Sequence, residues 1–335
     1  MKYISTFISG CENIITEFLR QDISDIHIIR TLNGLIFYET KTDIDSIRNL
    51  KYLNNSFIVL QSFDNLYDNN NAAIINKMIS KMLDDYNNID IPPVDIKVFK
   101  IFASIESELV SPGGQKASLL IDKIKHDTKS KYNSIGADTE FWFMYRSEKI
   151  GFFALRITKN KKKLAAGELR PEIAHILCRL SKPKETDVFC DPFCGSGTIP
   201  LERSRMADYR GIFATDIDPD LISALKYKTK KIKSAKFHKS FFIKCQDFLK
   251  NSFEDNFLDV IVTDPPWGYF QNISDNFYDL IMSEFARIIK PNGRLVLLTA
   301  KKEKIQNVSS DFNLVNKYDI LLSGQKAGIF VFIKK

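Results

Sequence analysis

Thr263-Asp264-Pro265-Pro266-Trp267-Gly268 follows the apolar run Leu258-Asp259-Val260-Ile261-Val262. Such a run predicts a buried parallel strand, and here it ends in an acid, two prolines and an aromatic residue. That set suits chemistry on an amino group attached to a flat ring. The Asp264 carboxylate can accept a hydrogen bond from a planar exocyclic NH2. Pro265 has no N–H, but its carbonyl can accept a second one. Two acceptors aimed at one nitrogen draw it toward tetrahedral geometry and free its lone pair for attack. Trp267 offers a face for the base to stack on, a contact worth ~1–3 kcal/mol in nucleic-acid sites. Asp264, Pro265, Pro266 and Trp267 are the candidate catalytic set.

A second stretch, Asp191-Pro192-Phe193-Cys194-Gly195-Ser196-Gly197-Thr198, closes one strand pattern and opens a helix. Gly195 and Gly197 let the backbone turn sharply and approach a ligand closely. Asp216, 25 positions beyond Asp191, ends the next strand near the spacing at which a carboxylate takes ribose hydroxyls. A dinucleotide fingerprint needs a third glycine; none appears, and Pro200 follows instead. The acidic Asp191 suits a cationic ligand better than a pyrophosphate. A sulfonium with an amino-acid tail fits, with Asp191 near the ammonium and the Gly195 and Gly197 backbone near the tail. After the third strand come Gln246-Asp247-Phe248. Asp247 could accept from an adenine amino group, and Phe248 packs either on that ring or in the core. Asp218, before Pro219, reads as a helix N-cap.

These residues sit at the ends of alternating strands and helices, the signature of a parallel α/β sheet. Strands are expected at 187–191, 211–215, 241–245, 258–263 and 294–299, with helices at 198–206, 219–230 and 277–289. A hairpin over 314–322 and 328–333, turning at Ser323-Gly324-Gln325, brings the count to seven, the last running antiparallel. The first half reads as α+β. Strands are expected at 3–7, 27–30 and 34–38, the latter two joined by an Asn33-Gly34 turn, with helices at 11–20 and 72–86. Beyond Ile91-Pro92-Pro93 the pattern gives a strand at 95–103, a basic helix at 116–125 and a hairpin of 139–145 with 150–158. Phe141-Trp142-Phe143 reads as alternation around a core rather than as an RNA platform.

The chain has 335 residues, enough for two or three domains, and its 44% hydrophobic content supplies real cores. No apolar run is long enough for a membrane span, and the N-terminus lacks the apolar core of a secretory signal. Five cysteines, an odd count without metal-like pairing, point to a reducing cytoplasm and to no metal site. The net charge of +7 is unevenly placed. Lys159, Lys161, Lys162 and Lys163 form one cluster; Lys226, Lys228, Lys230, Lys231, Lys233, Lys236 and Lys239 form another. Each reads either as a phosphate-attracting patch or as a solvated helix face.

Three stretches carry a resemblance to the class I, S-adenosylmethionine-dependent RNA methyltransferases with a THUMP domain, which make N2-methylguanosine in tRNA or ribosomal RNA. Gly167-Glu168-Leu169-Arg170-Pro171-Glu172-Ile173-Ala174 looks like the segment preceding their catalytic sheet. Asp191 to Glu202 is similar to their DPxCGSGTIxIE motif, and Thr263 to Gly268 to their DPPYG motif, with Trp in place of Tyr. The opening residues, through Leu19, are similar to their ferredoxin-like head. The resemblance implies a Rossmann-like seven-stranded methyltransferase sheet over 161–335, a ferredoxin-like segment over 1–60 and a THUMP-like RNA-binding region over 61–160. It implies S-adenosylmethionine as cofactor, held by Arg170, Asp191, Pro192, Cys194, Gly195, Ser196, Gly197, Thr198, Asp216, Ile217, Asp247, Phe248 and Asp264. It implies an RNA substrate, tRNA foremost, gripped by the first half. Four other readings share parts of this pattern: a ribosomal RNA guanine-N2 enzyme, a DNA amino-methyltransferase, a protein-glutamine methyltransferase (whose motif typically opens with Asn), and an RNA-binding protein with a dead enzyme domain.

Overall fold

The computed structural model describes every residue except Asn69, Asp90, 93–94, Ser107, 160–163, 165–167, 233–236, 238–239, 270–272, 306–309 and Ser323. Lys161–Lys163, the lysines at 233, 236 and 239, Gly167 and the Ser323 turn position therefore lie outside the described residues. Two compact units form. The first contains Met1–Thr6, Phe18–Leu50 and Asn55–Lys161; the second contains Phe7–Glu17, Lys51–Asn54 and Lys162–Lys335.

The first unit is built on one mixed sheet. Its strands are β1 (Lys2–Thr6), β2 (His27–Leu32), β3 (Leu35–Glu39), β4 (Asn55–Phe63), β5 (Val98–Ile105), β6 (Glu108–Val110), β7 (Lys131–Tyr132), β8 (Thr139–Arg146) and β9 (Ile150–Arg156). The order is β2-β3-β1-β4-β9-β8-β5-β6, with β7 beside β5. The helices are α2 (Ile44–Arg48), α3 (Asn71–Asp84) and α4 (Gln115–Thr128), while α1 (Glu12–Asp22) is divided, its residues through Glu17 belonging to the second unit. Successive side chains on a strand point to opposite faces, and β8 shows what each face does. Phe141 and Phe143 enter a core with Phe99, Phe153, Met78 and Ile79 of α3 and Leu120 of α4. Trp142 points the other way and stacks on Phe102, ring centroids 4.5 Å apart. The core alternation expected of this run holds.

The β2–β3 hairpin turns at Gly34 with a positive φ, as its Asn-Gly pair predicts. β4 has no counterpart in the sequence expectation, yet it is central and pairs with both β1 and β9. Its ladder shifts register between Val59 and Gln61. That bulge breaks the period-two signal by which strands are recognised.

The second unit carries the expected seven-stranded sheet. Its strands are β10 (Val188–Asp191), β11 (Gly211–Asp216), β12 (Phe241–Cys245), β13 (Leu258–Thr263), β14 (Ile289–Thr299), β15 (Phe312–Leu322) and β16 (Gln325–Lys334). The order is β12-β11-β10-β13-β14-β16-β15. β10 to β14 run parallel; β16 is antiparallel to both neighbours, β14 and β15. Connecting helices include α5 (Pro171–Leu180), α6 (Thr198–Met206), α7 (Pro219–Lys230) and a fourth over Phe277–Ile288. The last of these buries Tyr278, Ile281, Met282 and Phe285 against Leu258, Ile261, Leu295 and Leu297 of the sheet. Each such large apolar side chain taken out of water contributes roughly 2–3 kcal/mol.

From β10 the chain winds outward to β11 and β12 on one side, then returns to β13 on the other. The gap between the carboxyl ends of β10 and β13 is thus the topological switch point, where ligands of open α/β sheets bind. Two glycines allow close packing in this unit, one against a side chain and one against backbone. Gly197 starts α6 at φ +86°, and a Cβ there would lie 2.3 Å from Leu225 Cδ1 of α7. Gly10 has φ +91°, and a Cβ would fall 2.0 Å from the Asp319 carbonyl oxygen, so the Phe7–Glu17 segment seats directly on β15.

Candidate active site

The strand ends at the switch point collect acids. Asp191 ends β10 at 1% exposure. Its Oδ1 accepts from the Thr263 hydroxyl of β13 at 2.7 Å and from the Phe193 N–H at 3.4 Å. Its Oδ2 is buried and has no hydrogen-bond partner among the described residues. Burial pushes the Asp191 carboxyl well above the usual carboxylate range, and the charges of Asp216 and Asp264 push the same way. Asp216 ends β11; its Oδ2 accepts from the Gly195 N–H at 2.8 Å and its Oδ1 from the Asp218 N–H at 3.0 Å. Gly195 itself has φ +50°, and a Cβ there would meet nothing within 4 Å. The loop after β10 is therefore held from beneath by Asp216 while its upper side stays open.

Asp264 stands half-buried one residue beyond β13. Its Oδ1 accepts from the Trp267 indole N–H at 2.8 Å. Burial raises its carboxyl to about 7, against the opposite pull of that indole. The Pro266 carbonyl accepts from the Tyr278 hydroxyl at 3.1 Å, and that hydroxyl lies 2.7 Å from Thr299 Oγ1 at the end of β14. The Pro-Pro turn is thus pinned from a neighbouring helix and a neighbouring strand. Tyr269 follows, 56% exposed, with its ring edge-on to Trp267 at 6.3 Å and Lys301 Nζ 5.7 Å from its centroid.

The other expected site residues fall around this centre in distinct ways. The Pro192 carbonyl accepts from the Thr215 hydroxyl at 3.4 Å. The Cys194 N–H donates to the Thr215 carbonyl at 2.9 Å, and burial pushes the thiol far up, so it stays neutral. Ser196 Oγ lies 3.5 Å from Glu168 Oε1 and 3.4 Å from Thr198 Oγ1. Ile217 is 61% exposed beside Asp216. Asp218 is the N-cap of α7, as expected, accepting from Asp220 and Leu221 at 2.8 and 3.2 Å. Asp247 caps a short 3-10 turn through the Leu249 N–H at 3.1 Å and lies 3.6 Å from Lys250 Nζ. Phe248 is 3% exposed, its ring against Phe193 and Phe285. Arg170 stands at the start of α5, its Nε 3.5 Å from the buried Glu172 carboxylate. Among the described residues no group of three His, Cys, Asp or Glu could hold a metal ion, and no helix is long and apolar enough to cross a membrane.

Sequence reasoning missed Tyr278 and Thr299. Both sit inside ordinary helix and strand patterns, so only the fold brings them to the motif. It also missed the use of the Trp267 N–H.

A cofactor with a sulfonium and an ammonium fits this centre. An acid with one oxygen buried and unpartnered among the described residues, next to two further carboxylates, is short of positive charge. The open side of Gly195 leaves room for a ligand to lie on the backbone.

Residues 159–322 match the family described as RMKL-like, methyltransferase domain. A Methanothermococcus thermolithotrophicus protein named a probable tRNA (guanine(10)-N2)-dimethyltransferase is 31% identical over 157 residues, covering 45% of this chain and 90% of its own. The mouse tRNA (guanine(6)-N(2))-methyltransferase THUMP3 is 33% identical over 148 residues, 40% of this chain, and the chain spans only 29% of that longer protein. The crystal structure of TrmN from Thermus thermophilus superposes with a TM-score of 0.76 at 16% identity, covering 100% of this chain and 99% of that one. The two-part fold is therefore shared along the whole length.

Proposed function

This chain belongs to the RMKL-like methyltransferase family of tRNA guanine-N2 methyltransferases and their relatives, and from that premise we propose that it methylates the exocyclic N2 amine of a guanosine in RNA, foremost tRNA. It is a class I methyltransferase that uses S-adenosylmethionine. When bound, that cofactor supplies a methyl group on a good, positively charged leaving group. The rest is done by this chain's own residues.

Asp191 meets the ammonium of the amino-acid tail, and the Gly195 and Gly197 backbone lies along that tail. Pro192, Cys194, Ser196 and Thr198 shape the loop. Asp216 takes ribose hydroxyls, with Ile217 at the rim and Asp247 toward the adenine edge. Phe248 supports that edge from the core. Arg170 holds the tail or a phosphate.

A guanine N2 amine is a poor nucleophile because its lone pair feeds the ring. Asp264 and the Pro265 carbonyl accept its two hydrogens and restore the lone pair. The Pro266 carbonyl already accepts from Tyr278, while the Pro265 carbonyl accepts from no group among the described residues. A carboxyl raised to about 7 is suited to accept the proton that the amine gives up. A guanosine within a stem must be flipped out at a cost of a few kcal/mol, and stacking on Trp267 offsets part of this. The first half of the chain, with 1–60 as a ferredoxin-like segment and 61–160 as a THUMP-like region, binds the RNA, helped by Lys159 and Lys161–Lys163. The setting is the cytoplasm.

The observation that carries this reading is Asp264: half-buried at the switch point, one oxygen held by Trp267, the other making no hydrogen bond among the described residues. The test incubates the protein with methyl-labelled cofactor and, separately, tRNA, ribosomal RNA, DNA and protein, followed by nucleoside mass spectrometry. N2-methylguanosine in tRNA is the expected product. Label confined to any other acceptor, or none at all, overturns the reading.

A further inference from the structure

The aromatic residue of the acid-Pro-Pro motif enters the function above as a stacking surface. The structure gives it a second task. We propose that Trp267 is a positioning residue for Asp264: its indole N–H holds Oδ1 at 2.8 Å and thereby turns Oδ2 toward the substrate amine. This rests on the amine-methylating reading of the site.

The local chemistry explains why a side chain must do this. An acid at the end of a strand is usually steadied by backbone N–H groups one to three residues on. Here the next two residues are Pro265 and Pro266, which have no N–H. The nearest following group that reaches the carboxylate is the indole of Trp267. Its own backbone is fixed, because the Pro266 carbonyl is bonded to Tyr278, which also contacts Thr299. The donor is therefore presented from a turn tied to two other elements rather than from a free loop.

The charges around Asp264 make that one hydrogen bond important. From β10 it faces Asp191, and beyond Asp191 lies Asp216 of β11. From the helix Phe277–Ile288 it faces the Tyr278 hydroxyl, which also feels Glu303 of the segment after β14. Among the described residues no Lys, Arg or His forms an ion pair with Asp264. Its carboxyl is raised to about 7 by burial, and the indole is the contact that opposes this. Removing the N–H removes the partner that favours the ionised, accepting form. The same ring can still stack a base on its face, so the two tasks are separable by substitution.

The test compares wild type, Trp267→Phe and Asp264→Asn as full-length protein. In samples carrying 13C-labelled aspartate, the Asp264 side-chain signal is identified by its loss in Asp264→Asn and titrated. Trp267→Phe is expected to raise its midpoint by about one unit, since a hydrogen bond to a charged group is worth about 1.5–3 kcal/mol and one unit is about 1.4. In RNA methylation, the rising limb of kcat/KM against pH moves up by the same amount. The loss is about fivefold at pH 7 and shrinks below about twofold by pH 9, with the KM for RNA unchanged. A midpoint that stays in place overturns the proposal, as does a raised RNA KM with an unshifted profile, the result of a purely stacking role. If Trp267→Phe does not fold, the benzothienyl analogue of tryptophan, in which sulfur replaces the N–H and ring shape is kept, is incorporated in a Trp142→Phe background and read the same way. If wild type methylates no RNA guanine, the functional reading fails, and the 13C titration still decides the role of Trp267.

Discussion

The protein's two tryptophans each donate the indole N–H to a carboxylate, one in each unit, and the two acids are in opposite situations. In the first unit Glu140 Oε2 accepts from Trp142 at 3.0 Å and from Arg156 Nη1 at 2.9 Å, with Lys100 Nζ 3.6 Å from Oε1. In the second unit, among the described residues, Asp264 has Trp267 and no cation, and Asp191 nearby has a buried oxygen with no partner. A buried acid that is fully paired holds a fold together. A buried acid left short of positive charge costs stability, and a site tolerates that cost when a ligand is to supply the missing charge. Sheet type underlies the contrast. A parallel sheet brings every carboxyl strand end to one edge, so acids from β10, β11 and β13 converge. The largely antiparallel sheet of the first unit scatters its strand ends, and its charged groups pair in place on a face.

The sharpest way to break this comparison is to remove Asp264. Asp264→Ala should lower the rate of methyl transfer by about a thousandfold or more, the range for losing an acceptor aimed at the reacting group. The affinity for S-adenosylhomocysteine, measured by calorimetry, should change by less than about threefold. Retained turnover would remove Asp264 from the chemistry. The converse substitution, Glu140→Ala, should leave cofactor affinity within about twofold and destabilise the first unit by about 3–5 kcal/mol in urea unfolding, because Arg156 and Lys100 lose their shared partner. A mild stability change with lost cofactor binding would reverse the assignment of the two acids.

Asp191 sharpens the same point through pH. Its folded-state carboxyl is raised, by burial first, above the unfolded range near 4. The folded protein therefore binds more protons than the unfolded one between those values, and stability falls as pH rises through the window. The stabilisation is fully present below the unfolded value and is lost as the folded value is passed. Asp191→Asn has no such titration. Its melting temperature should gain on wild type as pH rises from 4 to 8 in ligand-free protein, while its affinity for the cofactor falls about 10- to 100-fold. A melting-temperature difference independent of pH would show that Asp191 is not held short of charge.

The sequence reveals the second unit better than the first, for physical reasons. β10, β11 and β13 are apolar runs that each end in a distinctive loop, and their spacing predicts the order of strands and helices, whereas β14 carries the polar Lys290-Pro291-Asn292-Gly293 near its start and begins five residues before its expected position. The motif acids are legible because an acid at a strand end is unusual. In the first unit β4 carries a bulge, while β6, β7 and α2 are five residues or fewer, too short to show a period. Within the site, the ring of Trp267 suggests stacking, whereas its N–H acquires meaning only when the Pro-Pro turn folds it back on Asp264. Tyr278 and Thr299 carry no local signal, since their role depends on which strand ends lie side by side.

The smallest expected effect concerns the lysines, where sequence patterning is the guide, because Lys161, Lys162 and Lys163 lie outside the described residues. If this cluster contacts phosphates, each lysine releases a bound counterion when RNA binds. The salt dependence then records the number of contacts. Replacing all three by alanine should weaken tRNA binding by about tenfold at moderate salt and lower the slope of log affinity against log salt by about two to three, at ~0.7–0.9 per contact. Solvated lysines would give an unchanged slope with, at most, a small uniform loss. The experiment also bears on the comparison between units. A shallower slope with unaltered cofactor affinity would mean that RNA is held by dispersed surface charge, while Asp191 at the end of β10 and the half-buried Asp264 after β13 are reserved for the cofactor and the base.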